Sequence, residues 1–379
     1  MVASKSVRAE VAEIQHKYDH SILVLQGGGA LGAYQAGVYD GLAESGIKLD
    51  WVTGVSIGAI NAALIAGNPP ERRVERLAEF WDLVSSASPM IPPASFDLLR
   101  PSLNRLGANV SAALGVPAFF APRMPPPYLA TDGSVDALSI YDTGPLKVTL
   151  ERLVDFDLIN SRRVRFSVGA VNARTGNSKY FDNREIRIEP EHVMASGALP
   201  PGFPPVMIDG EPHWDGGLVS NTPLFYVLDD APLMSALIMQ VDLFSAVGDM
   251  PRNLDQVLER AKDIQYSSKT RFNTKRVKEI DDLKLALRRL LGKLPKALQR
   301  DADVKLLKRE VDVGQVTIVH LINRRNVHSS HAKDYEFSRA TVRDLWLSGR
   351  DDVRRSVTHP EMLRASEGGG GMRVYDLAR

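Results

Sequence analysis

The chain has 379 residues, 44% hydrophobic and 25% charged, enough apolar material for one large α/β domain with an extension or for two modest domains, and unlike the composition of a disordered chain. Lys and Arg number 47 against 46 Asp and Glu, so a formal net charge of +1 supplies no global field to attract nucleic acid or an anionic membrane. The absence of cysteine excludes a disulfide framework, a thiol nucleophile and thiolate metal ligation.

The N-terminal segment, residues 1–20, mixes charges of both signs and never develops the apolar core of a secretory signal, so a cytoplasmic protein is expected. The longest uncharged stretch, Ser21 to Tyr39, approaches the length of a membrane span but contains five glycines, and its turn chemistry argues against a crossing. Within it, Ser21–Gln26 is a short apolar run ending in Gly27-Gly28-Gly29, which reads as a buried strand delivering a glycine loop. A helix is expected from about Ala33 to Ser45 with Gly46 as its stop, then a strand over Trp51–Val55, a helix over Ile57–Ala66 and a third helix over roughly Val74–Ser85. Strand and helix alternating at this pace imply a parallel sheet with crossover helices, hence an α/β fold.

From Ser88 to Asp132 prolines interrupt the pattern too often for long regular elements, and Phe119 and Phe120 lie in what reads as a cover or entrance segment. Regular structure resumes with a helix near Pro145–Val154, a strand from Arg163, a hairpin through Thr175-Gly176-Asn177, a loop over Ala195–Val206 and a strand near Leu237–Leu243. A catalytic domain over 21–250 is expected, followed by a mainly helical extension over 251–379. The extension carries one further strand, Val316–Ile322, and a helix from Asp334 whose Tyr335, Val342, Leu345 and Trp346 share a face. The tail Ser366–Met372 reads as a flexible linker.

Three features carry chemistry. Gly54-Val55-Ser56-Ile57-Gly58 is a G-x-S-x-G sequence between a predicted strand and a predicted helix, where small neighbours permit a sharp turn and the helix N-terminus favours an alkoxide. A tight strand-to-helix turn with an ordinary helix-capping serine has the same appearance. Gly27-Gly28-Gly29-Ala30-Leu31-Gly32 suits an oxyanion hole, since successive glycines bring backbone N–H groups close to a tetrahedral centre. Its Gly27, Gly29 and Gly32 also spell the dinucleotide pattern G-x-G-x-x-G, but the second strand ends in Gly54–Gly58 rather than in the acidic residue that would hold a ribose. The third feature, Trp214-Asp215-Gly216-Gly217, read alone is a turn.

In combination, G-G-G-x-x-G, a G-x-S-x-G on the next strand and a distant D-G-G resemble the patatin-like phospholipases, over about Ser21 to Leu243. The resemblance implies a three-layer α/β/α fold with a mainly parallel sheet, a catalytic dyad of Ser56 and Asp215, and an oxyanion hole at Gly27, Gly28 and Gly29. Gly32, Gly54, Gly58, Gly216 and Gly217 complete the motifs. The segment Ala195–Pro200 with Phe203-Pro204-Pro205 looks like the family's stretch before the aspartate, and the region beyond Arg252 is similar to an extension on some bacterial members. The family usually has Arg or Lys where this chain has Leu31.

The activity so implied is serine acyl-ester hydrolysis through an acyl-enzyme, on a lipid or other acyl ester, with no metal and no cofactor. A Ser-His-Asp esterase would need one of His320, His328, His331 or His359 beside Asp215, and its serine would follow more strands than are present here. His213 reads as a packing residue, and His328, His331 and Asp334 are too loosely spaced for a persuasive metal site. A catalytically weak module that binds lipid or a partner is the reading from another class. Peripheral membrane contact could come from Leu283, Leu287, Leu290, Leu291, Leu294 and Leu298, interleaved with Lys284, Arg288, Arg289, Lys293, Lys296 and Arg300; the plainer reading is a helix lying on the catalytic domain with a solvated basic face.

Overall fold

A computed structural model describes residues 5–86, 100–230, 235–267, 270–311, 315–324, 333–358, 363 and 371–376. Its centre is a nine-stranded sheet among the described residues, made of β1 (His20–Leu25), β2 (Trp51–Val55), β3 (Arg165–Asn172), β4 (Ser178–Asp182), β5 (Val206–Ile208), β6 (Glu211–Asp215), β7 (Ala236–Asp242), β8 (Gln315–Ile322) and β9 (Gly371–Asp376). The order is β9-β8-β7-β1-β2-β3-β6-β5, with β4 also on β3. From β9 to β3 all neighbours run parallel; β4 and β6 are antiparallel to β3.

A parallel sheet needs cover on both faces, and the strand sequences supply it. Side chains alternate along β1: Leu23 and Leu25 join the larger core under α2 (Ala33–Ser45), α3 (Ile57–Ala66) and α4 (Arg73–Val84), whereas Ile22 and Val24 join the smaller core under α9 (Leu224–Asp230). The other helices are α1 (Lys5–Gln15), α5 (Arg100–Leu114), α6 (Gly144–Leu153), α7 (Phe156–Asn160), α8 (Pro190–Ser196), α10 (Leu254–Tyr266), α11 (Thr270–Gly292), α12 (Ala302–Glu310) and α13 (Arg339–Val357). The expected three-layer α/β/α architecture is the observed one.

The residues after 251 do more than add helices. β8 and β9 extend the same sheet, and α13 lies along α2. The contact is close because the Gly37 position on α2 faces the backbone of Trp346, where any side chain would collide. Polar pairs flank it: the Trp346 indole donates to Asp40 at 2.9 Å, Arg354 makes a two-pronged pair with Glu44 at 2.9 and 3.0 Å, and the Tyr34 hydroxyl donates to Asp352 at 2.7 Å.

Several local expectations are corrected. The proline-rich segment contains α5, fifteen residues long, whose Pro101 falls in the first turn where its missing N–H costs nothing. Tyr335 is not on the face of α13: Ser338 caps that helix, its hydroxyl accepting the Thr341 N–H at 3.4 Å, and Tyr335 sits in a preceding 3-10 turn, Lys333–Tyr335. Gly371 and Met372 belong to β9 rather than to a flexible tail. Of the leucine stripe, Leu291 is buried, whereas Leu283 and Leu290 are exposed.

One buried ion pair fastens β4 to β3. Arg165 lies 3.6 Å over the Trp51 ring and contacts Asp182 at 2.7 Å, and the Tyr226 hydroxyl donates to the same carboxylate at 2.9 Å. Asp182→Ala removes a carboxylate from the buried guanidinium and leaves the Tyr226 hydroxyl without its acceptor, and should cost about 3–5 kcal/mol. Urea unfolding of the two proteins measures this directly.

Candidate active site

The sheet register brings the serine and the aspartate together. Val55, the last residue of β2, pairs with Gly169 on β3; one residue further along, Ala170 pairs with Asp215 at the end of β6. β2 leaves the sheet at the point where β6 takes its place, so Ser56 and Asp215 meet end to end. Both line one cleft, and the Ser56 hydroxyl lies near enough to the Asp215 carboxylate to favour its ionised form.

Ser56 holds a left-handed backbone, φ 57° and ψ −125°, a conformation costing about 1–3 kcal/mol for a residue with a Cβ. Its N–H donates to the carbonyl and the hydroxyl oxygen of Ser196, both at 3.1 Å, and its own carbonyl accepts the first bond of α3 from Ala59 at 2.9 Å. The hydroxyl is thereby left out of the helix cap, ahead of the α3 N-terminus. Ser196 in turn donates to the Gly169 carbonyl at 2.6 Å, and two residues on, the Ala198 carbonyl accepts the Asp215 N–H at 2.9 Å. The stretch Ser196–Ala198 thus ties both functional candidates to one piece of backbone.

Asp215 is 2% exposed. Burial pushes its carboxyl up to about 7, although the Gly217 N–H, donating at 2.7 Å, and the Ser56 hydroxyl both favour the ionised form. Gly54 and Gly58 face each other across the serine turn, Gly32 abuts Ile57, and Gly216 lies against Gly169.

The three-glycine loop lies beside Ser56 in the same cleft. The Gly27 N–H is occupied, donating to the Asn221 carbonyl at 3.1 Å, while Asn221 Nδ2 returns a bond to the Gly27 carbonyl at 3.0 Å. Among the described residues no protein acceptor takes the N–H of Gly28 or Gly29. Gly29 has φ 55° and sits against the Asp334 carbonyl, so both its conformation and its space require glycine. Leu31 is buried in the core and points no charge at the loop.

The cleft is lined mainly by aromatic and aliphatic side chains. Phe119, Phe120, Leu199 and Phe203 line one part, with Phe337 packed on Phe119 at 6.0 Å; Phe244, Tyr266 and Tyr335 line a second wall. Sequence reasoning missed the second wall. It is held by ion pairs from α10 to the 333–335 turn: Lys262 to Asp334 at 2.6 Å, and buried Lys333 to Asp263 at 2.6 Å and Glu259 at 3.2 Å. The one available signal was Phe337 and Tyr335 beside a charged Lys333-Asp334 pair, and only the tertiary structure shows which charges answer it.

Of the histidines considered, His213 and His320 are described, and both are engaged elsewhere. His213 is buried against the Phe181 ring at 5.3 Å with Nδ1 3.0 Å from the Glu211 carbonyl, and burial lowers its pKa. His320 is 3.7 Å from Asp242 on the neighbouring strand β7. His328, His331 and His359 lie outside the described residues. Among the described residues no group of three or more acidic or histidine side chains could hold a metal, and no helix is long and apolar enough to cross a membrane.

The family description Patatin-like phospholipase matches residues 23–228, and a second, Patatin phospholipase, matches residues 264–368. The Caenorhabditis elegans patatin-like phospholipase domain-containing protein ZK370.4 is 48% identical over 59 residues, 16% of this chain and 4% of that protein. The C. elegans putative patatin-like phospholipase domain-containing protein M110.7 is 42% identical over 59 residues, 16% of this chain and 5% of its own length. The match therefore spans a small fraction of either relative. The crystal structure of VipD from Legionella pneumophila aligns over 90% of this chain and 67% of that chain, with 14% identity and a TM-score of 0.39. With more than half of its length matched by the first description, the chain belongs to the patatin-like phospholipase family.

Proposed function

We propose that the protein is a lipid acyl hydrolase in which Ser56 is the nucleophile and Asp215 its base. The observation that carries the reading is the meeting of a backbone-strained serine hydroxyl with a buried carboxyl raised to about 7, at the floor of an apolar cleft. A carboxylate titrating near 4 is a poor acceptor for a serine proton; one raised toward neutrality is both ionised in a useful fraction and basic enough to serve.

Ser56 Oγ attacks the ester carbonyl as its proton passes to Asp215. The resulting oxyanion is met by the Gly28 and Gly29 N–H groups, with Gly27 acting through its exchange of hydrogen bonds with Asn221 to set the loop. Collapse of the tetrahedral species returns the proton from Asp215 to the departing alcohol. Water then attacks the acyl-enzyme, giving up its proton to Asp215, and collapse of the second tetrahedral species returns that proton to Ser56 Oγ as the acid leaves.

The aromatic walls select for an acyl chain. Hydrolysis of p-nitrophenyl esters of increasing length should show kcat/KM rising with chain length. Phe203→Ala should lower kcat/KM for a long-chain ester about tenfold relative to a short one, through lost apolar contact. Equal losses on both esters would contradict an acyl-binding role for that wall. A folded protein that turns over no ester in the presence of detergent would contradict the hydrolase reading itself.

A further inference from the structure

The chain leaves six large apolar side chains exposed on one short loop. Ala121–Pro122 pairs antiparallel with Tyr141–Asp142, and the Arg123 N–H donates to the Ile140 carbonyl at 3.1 Å, closing a loop over 123–140. Met124 is 85%, Tyr128 82% and Leu129 69% exposed, and Val135, Leu138 and Ile140 are exposed beside them. Apolar side chains concentrated this way on one segment mark a contact surface rather than ordinary scatter. The loop is ordered by its own chemistry: Pro125, Pro126 and Pro127 stiffen it, short 3-10 turns form at Pro127–Leu129 and Val135–Ala137, and Arg123 bridges Asp136 and the Ser139 hydroxyl.

Its stem is continuous with the cleft. Tyr141 packs at 4.7 Å on Phe120 and 6.0 Å on Phe203, both cleft-lining, and the backbone N–H groups of Ile140 and Tyr141 donate to Pro201 and Gly202, just before Phe203. The charges on the loop are one arginine, already paired with Asp136, and the further acid Asp132, so nothing there favours an anionic partner.

We propose that this loop is the docking surface by which the protein seats its cleft on a lipid bilayer, by inserting Met124, Tyr128 and Leu129 among zwitterionic headgroups; the inference rests on the lipid acyl hydrolase reading. A stiff, apolar loop with a net charge of only −1 loses little entropy on insertion and gains from apolar burial. An acyl chain drawn up along its stem would meet Phe120 and Phe203 next. The exposed Leu283 and the basic side chains of α11 are the competing surface, but no α11 residue lines the cleft.

The test is co-sedimentation of the Ser56→Ala protein with vesicles of phosphatidylcholine alone, compared with the same protein carrying Met124→Ser, Tyr128→Ser and Leu129→Ser. Binding should weaken about tenfold or more in the loop variant and change little with salt. On the Ser56 background, the loop variant should hydrolyse a short soluble ester at the wild-type rate, which separates docking from chemistry. Independently, Tyr128→Trp should show a blue-shifted emission when phosphatidylcholine vesicles are added. Vesicle binding that survives the three substitutions, binding that needs anionic lipid and is lost in salt, or an unshifted Tyr128→Trp emission overturns the proposal. Failure of the wild type to hydrolyse any ester would instead bear on the hydrolase reading.

Discussion

Ser56→Ala should abolish ester hydrolysis, lowering kcat/KM by roughly 10⁴–10⁶-fold, because Ser56 is the one serine lining the cleft among the described residues. The same substitution should leave the fold intact. The Ser56 hydroxyl caps nothing in α3, and the bonds that hold the turn come from its backbone to Ser196 and Ala59. A thermal transition within a few degrees of wild type, together with loss of turnover, is the expected pair of results. Residual activity above the uncatalysed rate would point to a second nucleophile.

Asp215→Asn should lower kcat/KM about 10²–10⁴-fold, since an amide cannot take the serine proton. It should also change two pH dependences, in opposite senses. For activity, the wild type needs the ionised carboxylate, so kcat/KM should fall about tenfold per pH unit below the Asp215 pKa of about 7 and level off above it, and the variant should lack that inflection. For stability, the raised carboxyl holds its proton more tightly in the folded protein than in the unfolded chain. The stability it confers is complete below the unfolded value near 4 and is lost as pH rises through about 7. Asp215→Asn escapes that loss, so it should be more stable than wild type at about pH 8, on the order of 2–4 kcal/mol, with the difference vanishing at about pH 4. Urea unfolding at the two pH values checks the sign. A variant less stable at alkaline pH would mean that Asp215 is held as a favourable ion, and its role as base would lose its physical ground.

These effects arise from residues that local sequence could display. Trp51–Val55 and Ile57–Ala66 were legible to the residue because the apolar run, the glycine-flanked serine and the small-residue helix each obey a short-range rule. Ala33–Ser45 with a left-handed Gly46 after it was equally plain. What the sequence displayed only weakly were consequences of distance in the chain. That β6 succeeds β2 along the same edge of β3 follows from pairing across more than a hundred residues, and no period in the sequence encodes it. The second cleft wall depends on Lys333 finding Asp263 and Glu259, and on Asp334 lying against Gly29. The glycine loop was read as three equivalent donors, whereas Asn221 occupies the first of them. In α5 the signal was present but outweighed: prolines on both sides hid a stretch whose single Pro101 sits where a helix tolerates it.

The most direct test of the dyad is covalent labelling with a fluorophosphonate, followed by mass-spectrometric mapping of the modified peptide in wild type, Ser56→Ala and Asp215→Asn. One adduct is expected, on Ser56, absent from Ser56→Ala and formed far more slowly in Asp215→Asn, with the wild-type rate rising with pH through about 7. An adduct on another serine, or labelling of Ser56 at the same rate with and without the Asp215 carboxylate, would contradict it.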